Sequence, residues 1–322
     1  MNRLTAWFAA ALTGWALLTG PALAAQPLLT PAELKALQGQ PGVRIIDIRS
    51  PKAYDEKHIP GAVSAPYGTW RGPASNPGEL PDLPRLTALV QRLGLTPEVH
   101  AVVVSSGDDA TDFGSAARVV WTLKVLGLKE LSVLNGGVQA WVAAGLALDS
   151  LPVAVQASTY TPQLDTTLIA TREELQAQPA GTQAGTQARL LDARPAAFFN
   201  GETRHQAARV PGTLKGAVNL EYTRWFAPDS AAMLPATDVK RLAAESAAAG
   251  DAPAVSFCNT GHWAAINWFA LSEVAGQKGV KMYPGSMVDW SQGPGAAAMD
   301  NVPGRAGQLV VDFKLWWART FE

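Results

Sequence analysis

The chain carries the same α/β pattern twice, and this repeat limits the folds open to it more than any other feature. Ile45-Ile46-Asp47-Ile48-Arg49 is answered by Leu190-Leu191-Asp192-Ala193-Arg194, and Gly61-Ala62-Val63 by Gly216-Ala217-Val218. The apolar run Ala101 to Val104 is answered by Ala254 to Phe257, and Gly136 with Trp141 by Gly285 with Trp290. A unit repeated in this order is a duplicated domain. Short apolar strands alternating with helical patterns predict an α/β fold in which each copy is a parallel sheet flanked by helices. The expected division is a first domain over 28–150, a Pro-, Ser- and Thr-rich linker over 151–167, a second domain over 168–293 and a C-terminal tail over 294–322.

The two copies differ where chemistry would sit. The chain has 1 cysteine, Cys258, directly after the second apolar run and before a helical pattern that extends from Trp263 to Val274 and stops at Gly276. A thiol at such a strand-to-helix turn faces backbone N–H groups and the positive end of the helix dipole, both of which favour the thiolate. The alternative is inert packing, the usual fate of a lone cysteine. Against it stands the turn itself, with Gly261 in it. The repeat sets Cys258 opposite Ser106, in a first-copy loop that carries Asp108, Asp109 and Asp112. Those carboxylates disfavour a thiolate or a bound anion, so thiol chemistry is expected of the second copy alone.

The N-terminus reads as a secretory leader: Met1-Asn2-Arg3, an apolar block from Ala6 to Leu18 too short to span a bilayer, then Ala22-Leu23-Ala24 as a small-residue cleavage site. Cleavage after residue 24 predicts a periplasmic or secreted chain with no membrane span in its mature part. Its formal charge would be about −2, which points to neither nucleic acid nor an anionic surface as partner. One cysteine allows no internal disulfide, and a thiol kept in an oxidising compartment is exposed to oxidation. That exposure argues for a use.

With these motifs assembled, the chain resembles the tandem-domain rhodaneses, the thiosulfate and 3-mercaptopyruvate sulfurtransferases, from about Leu28 to Trp290. The resemblance rests on Ile46-Asp47-Ile48-Arg49, His58-Ile59-Pro60-Gly61-Ala62-Val63, Leu134-Asn135-Gly136-Gly137 and the loop Cys258-Asn259-Thr260-Gly261-His262-Trp263-Ala264. It implies an inactive first domain and a catalytic second one. It also implies ping-pong transfer of a sulfane sulfur through a Cys258 persulfide, cradled by the amides of Asn259, Thr260, Gly261, His262, Trp263 and Ala264. The partners implied are a small sulfur donor and a thiophilic acceptor such as cyanide, a thiol or another protein, with no metal and no organic cofactor.

The loop departs from the family in ways that bear on the donor. Thiosulfate-preferring members carry basic side chains just after the cysteine, and mercaptopyruvate-preferring members carry Gly-Ser-Gly. Here the run is Asn259-Thr260-Gly261-His262, and the family's donor-binding arginine falls on Phe198. Arg204, Arg209 and Lys215 are therefore the candidate anion-binding cations, with a solvated surface role as the alternative. His262 is a candidate substrate contact or proton donor, or else a loop histidine satisfied by the backbone. Asp192 and Arg194 are expected to hold the loop from behind. Trp225 and Phe226 are read as packing, and Trp263 as a candidate pocket wall. The tail from Leu309 to Phe321, with Phe313, Trp316 and Trp317, is read as docked on the domains, a membrane-surface role being the alternative.

Other chemistries fit less well. A cysteine phosphatase needs an arginine six residues after the nucleophile, where this chain has Ala264. A cysteine protease dyad is assembled in space and not on one tight loop. A non-catalytic sulfane-sulfur carrier or sensor remains the runner-up, distinguished from an enzyme by the absence of turnover.

Overall fold

The computed structural model describes residues 25–177, 188–293 and 298–321. The first copy forms β1 (Leu28–Leu29), β2 (Val43–Asp47), β3 (Val63–Ser64), β4 (His100–Val104) and β5 (Leu131–Leu134), a parallel sheet of order β1-β5-β4-β2-β3. The second copy contributes β6 (Arg189–Asp192), β7 (Thr213–Leu214), β8 (Val218–Asn219), β9 (Ala254–Phe257), β10 (Val280–Met282) and β11 (Met299–Asp300). Of these, β10-β9-β6-β8 form a second parallel sheet, and a parallel bridge from Ile169 to Met282 stands where β1 stands in the first. Both central strands are closed from water on both faces, as a helix-covered parallel sheet requires: Ala101 to Val104 and Ala254 to Phe257 are buried throughout.

The registers of the two sheets fix the correspondence between copies. Asp47 pairs with Val104, and Asp192 with Phe257. The next residues are Ser105 and Cys258, and their carbonyls accept equivalent bonds from Val138 and Met287. Ser105, not Ser106, therefore holds the place of Cys258. The expectation was one residue out: Val104 and Phe257 are both last residues of their strands, and the loops that follow, 105–109 and 258–262, are equally long, so the first loop residues correspond.

The domains share one core. The helix Ala110–Val125 of the first copy packs on the helix Trp263–Trp268 that follows Cys258. Phe113 meets Phe226 and Phe269 edge to face at 5.4 and 5.6 Å. The helix after Cys258 then continues as a π-helical turn over Phe269–Val274 before Gly276 ends it at positive φ. The segment between domains is strapped to the first: Val153, Val155 and Tyr160 pack on its core, and the Tyr160 hydroxyl donates to the Leu126 carbonyl at 2.7 Å.

The tail is attached along its first residues, where Asn301 Nδ2 also donates to the Phe199 carbonyl at 2.9 Å, and at one side of its helix. β11 pairs antiparallel with β7, and the helix Arg305–Phe321 is held through Asp312, which accepts from Arg204 at 2.9 Å. The expected docking on the domains is confined to one narrow side, for Val311 is the helix's one fully buried residue. Among the described residues no helix is long and apolar enough to cross a membrane. The leader expected over 1–24 lies outside the described residues.

Candidate active site

Cys258 is the first residue beyond β9, at the carboxyl edge of the sheet, where α/β folds place their ligand crevices. It is 1% exposed, so the thiol is enclosed by its surroundings. The loop that follows turns on Ser286. Its hydroxyl accepts from the amides of Cys258 at 3.0 Å and Gly261 at 3.1 Å, and donates to the Tyr283 carbonyl at 2.8 Å. Ser286 has φ 54°, a conformation that an L side chain enters at a penalty of roughly 1 kcal/mol; the equivalent residue of the first copy is Gly137, at φ 59°. The strained serine sits where its oxygen gathers both ends of the turn. Among the described residues the amides of Asn259, Thr260, His262, Trp263 and Ala264 have no protein acceptor. The turn is a row of donors left open for an anion.

Asp192 and Arg194 hold the loop from behind. The Arg194 guanidinium grips Asp192 through Nε at 2.8 Å and Nη2 at 2.6 Å, donates to the Gly212 carbonyl at 2.8 Å, and reaches Asn259 Oδ1 through Nη1 at 3.4 Å. Thr213 Oγ1 donates a further bond to Asp192 at 2.7 Å. Both charged residues are buried and fully partnered, the condition under which a buried ion pair is tolerated.

The other half of the loop is held by the first domain. Arg71 Nη2 donates to the Thr260 carbonyl at 2.9 Å, and Arg118 Nη1 to the Gly261 carbonyl at 3.2 Å, with Arg118 Nη2 on the Gly78 carbonyl at 2.8 Å. A Cβ on Gly261 would lie 2.4 Å from Arg118 Nη1, and the residue has φ 66°, so only glycine fits the turn there. His262 lies between Tyr67, whose hydroxyl is 2.8 Å from Nδ1, and the Thr111 carbonyl, 2.7 Å from Nε2. Its ring rests over Gly114 of the helix Ala110–Val125, where a Cβ would come within 2.9 Å of Nε2. Trp263 stacks on Tyr222 at 5.0 Å, meets Phe198 edge to face at 5.9 Å, and directs its indole N–H at Thr111 Oγ1 at 3.4 Å.

These partners decide the state of His262. A carbonyl can only accept, so Nε2 carries the proton and Nδ1 accepts from the Tyr67 hydroxyl. Burial, then the neighbouring Arg71, push the imidazole pKa down to about 4, and the bond to Thr111 offsets this in part. His262 is thus neutral, with both ring nitrogens engaged: it pins the loop to the first domain and supplies no positive charge to a substrate. Arg118 is wholly buried, and its pKa falls to about 9, first through burial and then through Arg71. Its Nε and one terminal nitrogen of Arg71 are buried without a hydrogen-bond partner among the described residues.

The cations picked out in sequence lie elsewhere. Arg204 is taken up by Asp312 of the tail helix and by the carbonyls of His205, Gln206 and Ala208. Arg209 and Lys215 are exposed, and among the described residues none of the three bonds to the 258–264 loop. The guanidinium groups that bond to the loop are instead Arg71 and Arg118 of the first domain, which no repeat or motif links to Cys258 along the sequence. Arg118 did leave a signal, a charged residue inside the run Ala116-Ala117-Arg118-Val119-Val120-Trp121. Trp225 is buried packing, its indole N–H on Asn267 Oδ1 at 2.7 Å. Among the described residues no group of three or more His, Cys, Asp or Glu is arranged to hold a metal.

A family model for the rhodanese-like domain matches residues 30–144 and again 171–293. The chain belongs to the rhodanese family. It is similar to the thiosulfate sulfurtransferase of Pseudomonas aeruginosa, 31% identical over 268 residues that cover 83% of this chain and 94% of the relative. The thiosulfate sulfurtransferase of Azotobacter vinelandii is 32% identical over 268 residues, with the same coverage of 83% and 94%. Among solved structures, the 3-mercaptopyruvate sulfotransferase of Escherichia coli superposes with a TM-score of 0.67 at 22% identity, over 81% of this chain and 98% of that one, a likeness of fold. The protein is a rhodanese-family sulfurtransferase with two domains of that fold.

Proposed function

We propose that this rhodanese moves sulfane sulfur from a small anionic donor, thiosulfate or a relative of it, through a persulfide on Cys258 to a thiophilic acceptor. The observation that carries the reading is the loop itself. Its carbonyls and side chains are clamped from both domains, while the amides of Asn259, Thr260, His262, Trp263 and Ala264 beside the thiol find no acceptor among the described residues. Such amides would favour an anion on the outer sulfur.

With thiosulfate, the Cys258 thiolate attacks the outer sulfur. A Cys258–S bond forms, the sulfur–sulfur bond of the donor breaks, and its electron pair leaves on sulfite. Cyanide or a thiolate then attacks the persulfide's outer sulfur and returns the Cys258 thiolate. The near-complete burial of Cys258 would keep water from the intermediate. An anionic donor is supported by Arg71, a cation beside the loop with an unpartnered terminal nitrogen. Export belongs to the same proposal: residues 1–24 would be removed on passage to the periplasm or the exterior.

Intact mass after incubation with thiosulfate, then with cyanide, tests this. The expected result is a gain of one sulfur on Cys258 that cyanide removes, with many thiocyanates per thiol. Cys258→Ser abolishes the gain and Ser105→Ala preserves it. One equivalent of bound sulfur without turnover would make the protein a carrier, and no gain with thiosulfate or 3-mercaptopyruvate would refute the proposed donor class.

A further inference from the structure

The helix Arg305–Phe321 presents an apolar face that none of the other described residues covers. Leu309, Val310, Phe313, Trp316, Trp317 and Phe321 recur at spacings of three and four residues, and they are 47% to 66% exposed. The opposite side, through Gly307, Gln308, Val311, Leu315 and Ala318, is the one turned to the body. The four aromatic rings form a continuous surface, with centroids 5.7 Å apart for Phe313 and Trp316 and 4.5 Å for Trp317 and Phe321. A patch of this size on an anchored helix marks an interaction surface.

Charge identifies the partner. Around the helix axis Lys314 borders the apolar face on one side, and Arg305 and Arg319 on the other. None of the three has an ion-pair partner among the described residues, whereas the one acidic residue of the helix, Asp312, is paired with Arg204. The face is therefore aromatic at its centre and cationic along both edges, on a chain whose formal charge is −1. Indole and phenyl rings between basic rims match the boundary between lipid headgroups and acyl chains. A second copy pressed onto the same face would set these unpaired cations against one another.

We propose that this helix docks the protein, lying flat, on a lipid surface that contains anionic headgroups. Arg204 and the pairing of β11 with β7 fix the helix to the catalytic domain, so docking would hold that domain at a set orientation to the surface.

The test is tryptophan quenching by vesicles of brominated phosphatidylcholine with phosphatidylglycerol, on the full chain. Wild type is expected to lose emission on mixing. Trp316→Phe with Trp317→Phe should remove the part of the quenching that those two indoles contribute. Phe313→Ser with Phe321→Ser should bring quenching down to the same level while transfer activity in solution is unchanged. With phosphatidylglycerol omitted, the concentration of vesicles needed should rise about a hundredfold, since each of the three cations contributes several-fold. Equal quenching in all three proteins would overturn the proposal. So would a sedimenting dimer that the serine pair converts to monomer, because the face would then be a self-interface.

Discussion

The Tyr67 hydroxyl and the His262 imidazole lie 2.8 Å apart across the domain boundary, so a first-domain phenol fixes a ring in the loop that follows Cys258 in the second domain. In the neutral ring Nδ1 accepts from this hydroxyl, and burial holds the imidazole neutral by lowering its pKa to about 4. The unfolded chain would protonate the same ring near pH 6.5. Between those values the unfolded state binds more protons, so stability is present in full above pH 6.5 and declines as pH falls toward 4. Urea unfolding of wild type and of His262→Gln at a series of pH values should show the wild-type advantage shrinking over that window. Taking the difference between the two proteins removes the contributions of His100 and His205, whose pKa values burial also lowers. A difference that stays constant with pH would show that His262 is not held neutral.

Ser286 joins backbone strain to loop order. Ser286→Gly relieves the positive φ and Ser286→Ala keeps it, but both remove the oxygen that gathers the Cys258 and Gly261 amides. Two hydrogen bonds of about 1 kcal/mol each suggest a fall in sulfur transfer of roughly tenfold or more in both variants. Stability separates them, with glycine expected about 1 kcal/mol above alanine because the strain is gone. Steady-state transfer and denaturant midpoints measured together check this. Full activity in the glycine variant would mean that the turn holds without the hydroxyl.

The strands and the strand-to-helix turn that carries Cys258 were legible in sequence because both rest on local signals. Apolar runs such as Ala101 to Val104 mark buried parallel strands, and one thiol after such a run stands out in a chain with 1 cysteine. The clamp was not legible. Tyr67 and Arg71 lie in a Gly- and Pro-rich stretch with no periodicity, and their partners are His262, 195 positions away, and Thr260, 189 away. No local rule links them; the docking of the two domains does. His262 invited a catalytic reading from its place beside Cys258. The geometry that decides against it, the Thr111 carbonyl on Nε2, comes from the other copy. Arg204 similarly drew attention by lying in a basic loop, while its true partner, Asp312, is in the tail.

Removing Arg194 should damage the fold more than removing the pair it belongs to. Arg194→Met strands Asp192 as a buried carboxylate with Thr213 as its remaining side-chain donor, and loss of one partner of a buried pair typically costs about 3–5 kcal/mol. Asp192→Asn with Arg194→Met leaves no charge behind and should recover part of that loss. A double variant at least as unstable as the single one would show that Arg194 contributes through Gly212 and Asn259 and not through the ion pair.

Arg71 is the residue expected to separate donor binding from chemistry. Its guanidinium holds the Thr260 carbonyl with one terminal nitrogen, and the other is buried without a partner among the described residues, so a donor anion that reaches the loop would meet an unpaired N–H. A charge-assisted hydrogen bond contributes about 1.5–3 kcal/mol, which sets the expected rise in KM for thiosulfate in Arg71→Gln at roughly tenfold to a hundredfold. The turnover number should stay within a few-fold, because the attacking thiol and the open amides around it are untouched. Rising ionic strength should raise KM in wild type more than in the variant, since a long-range attraction is what salt screens. A variant whose turnover number collapses at unchanged KM would assign Arg71 to holding the loop through Thr260 alone, and the anion would then have to be met by the turn amides without help from the first domain.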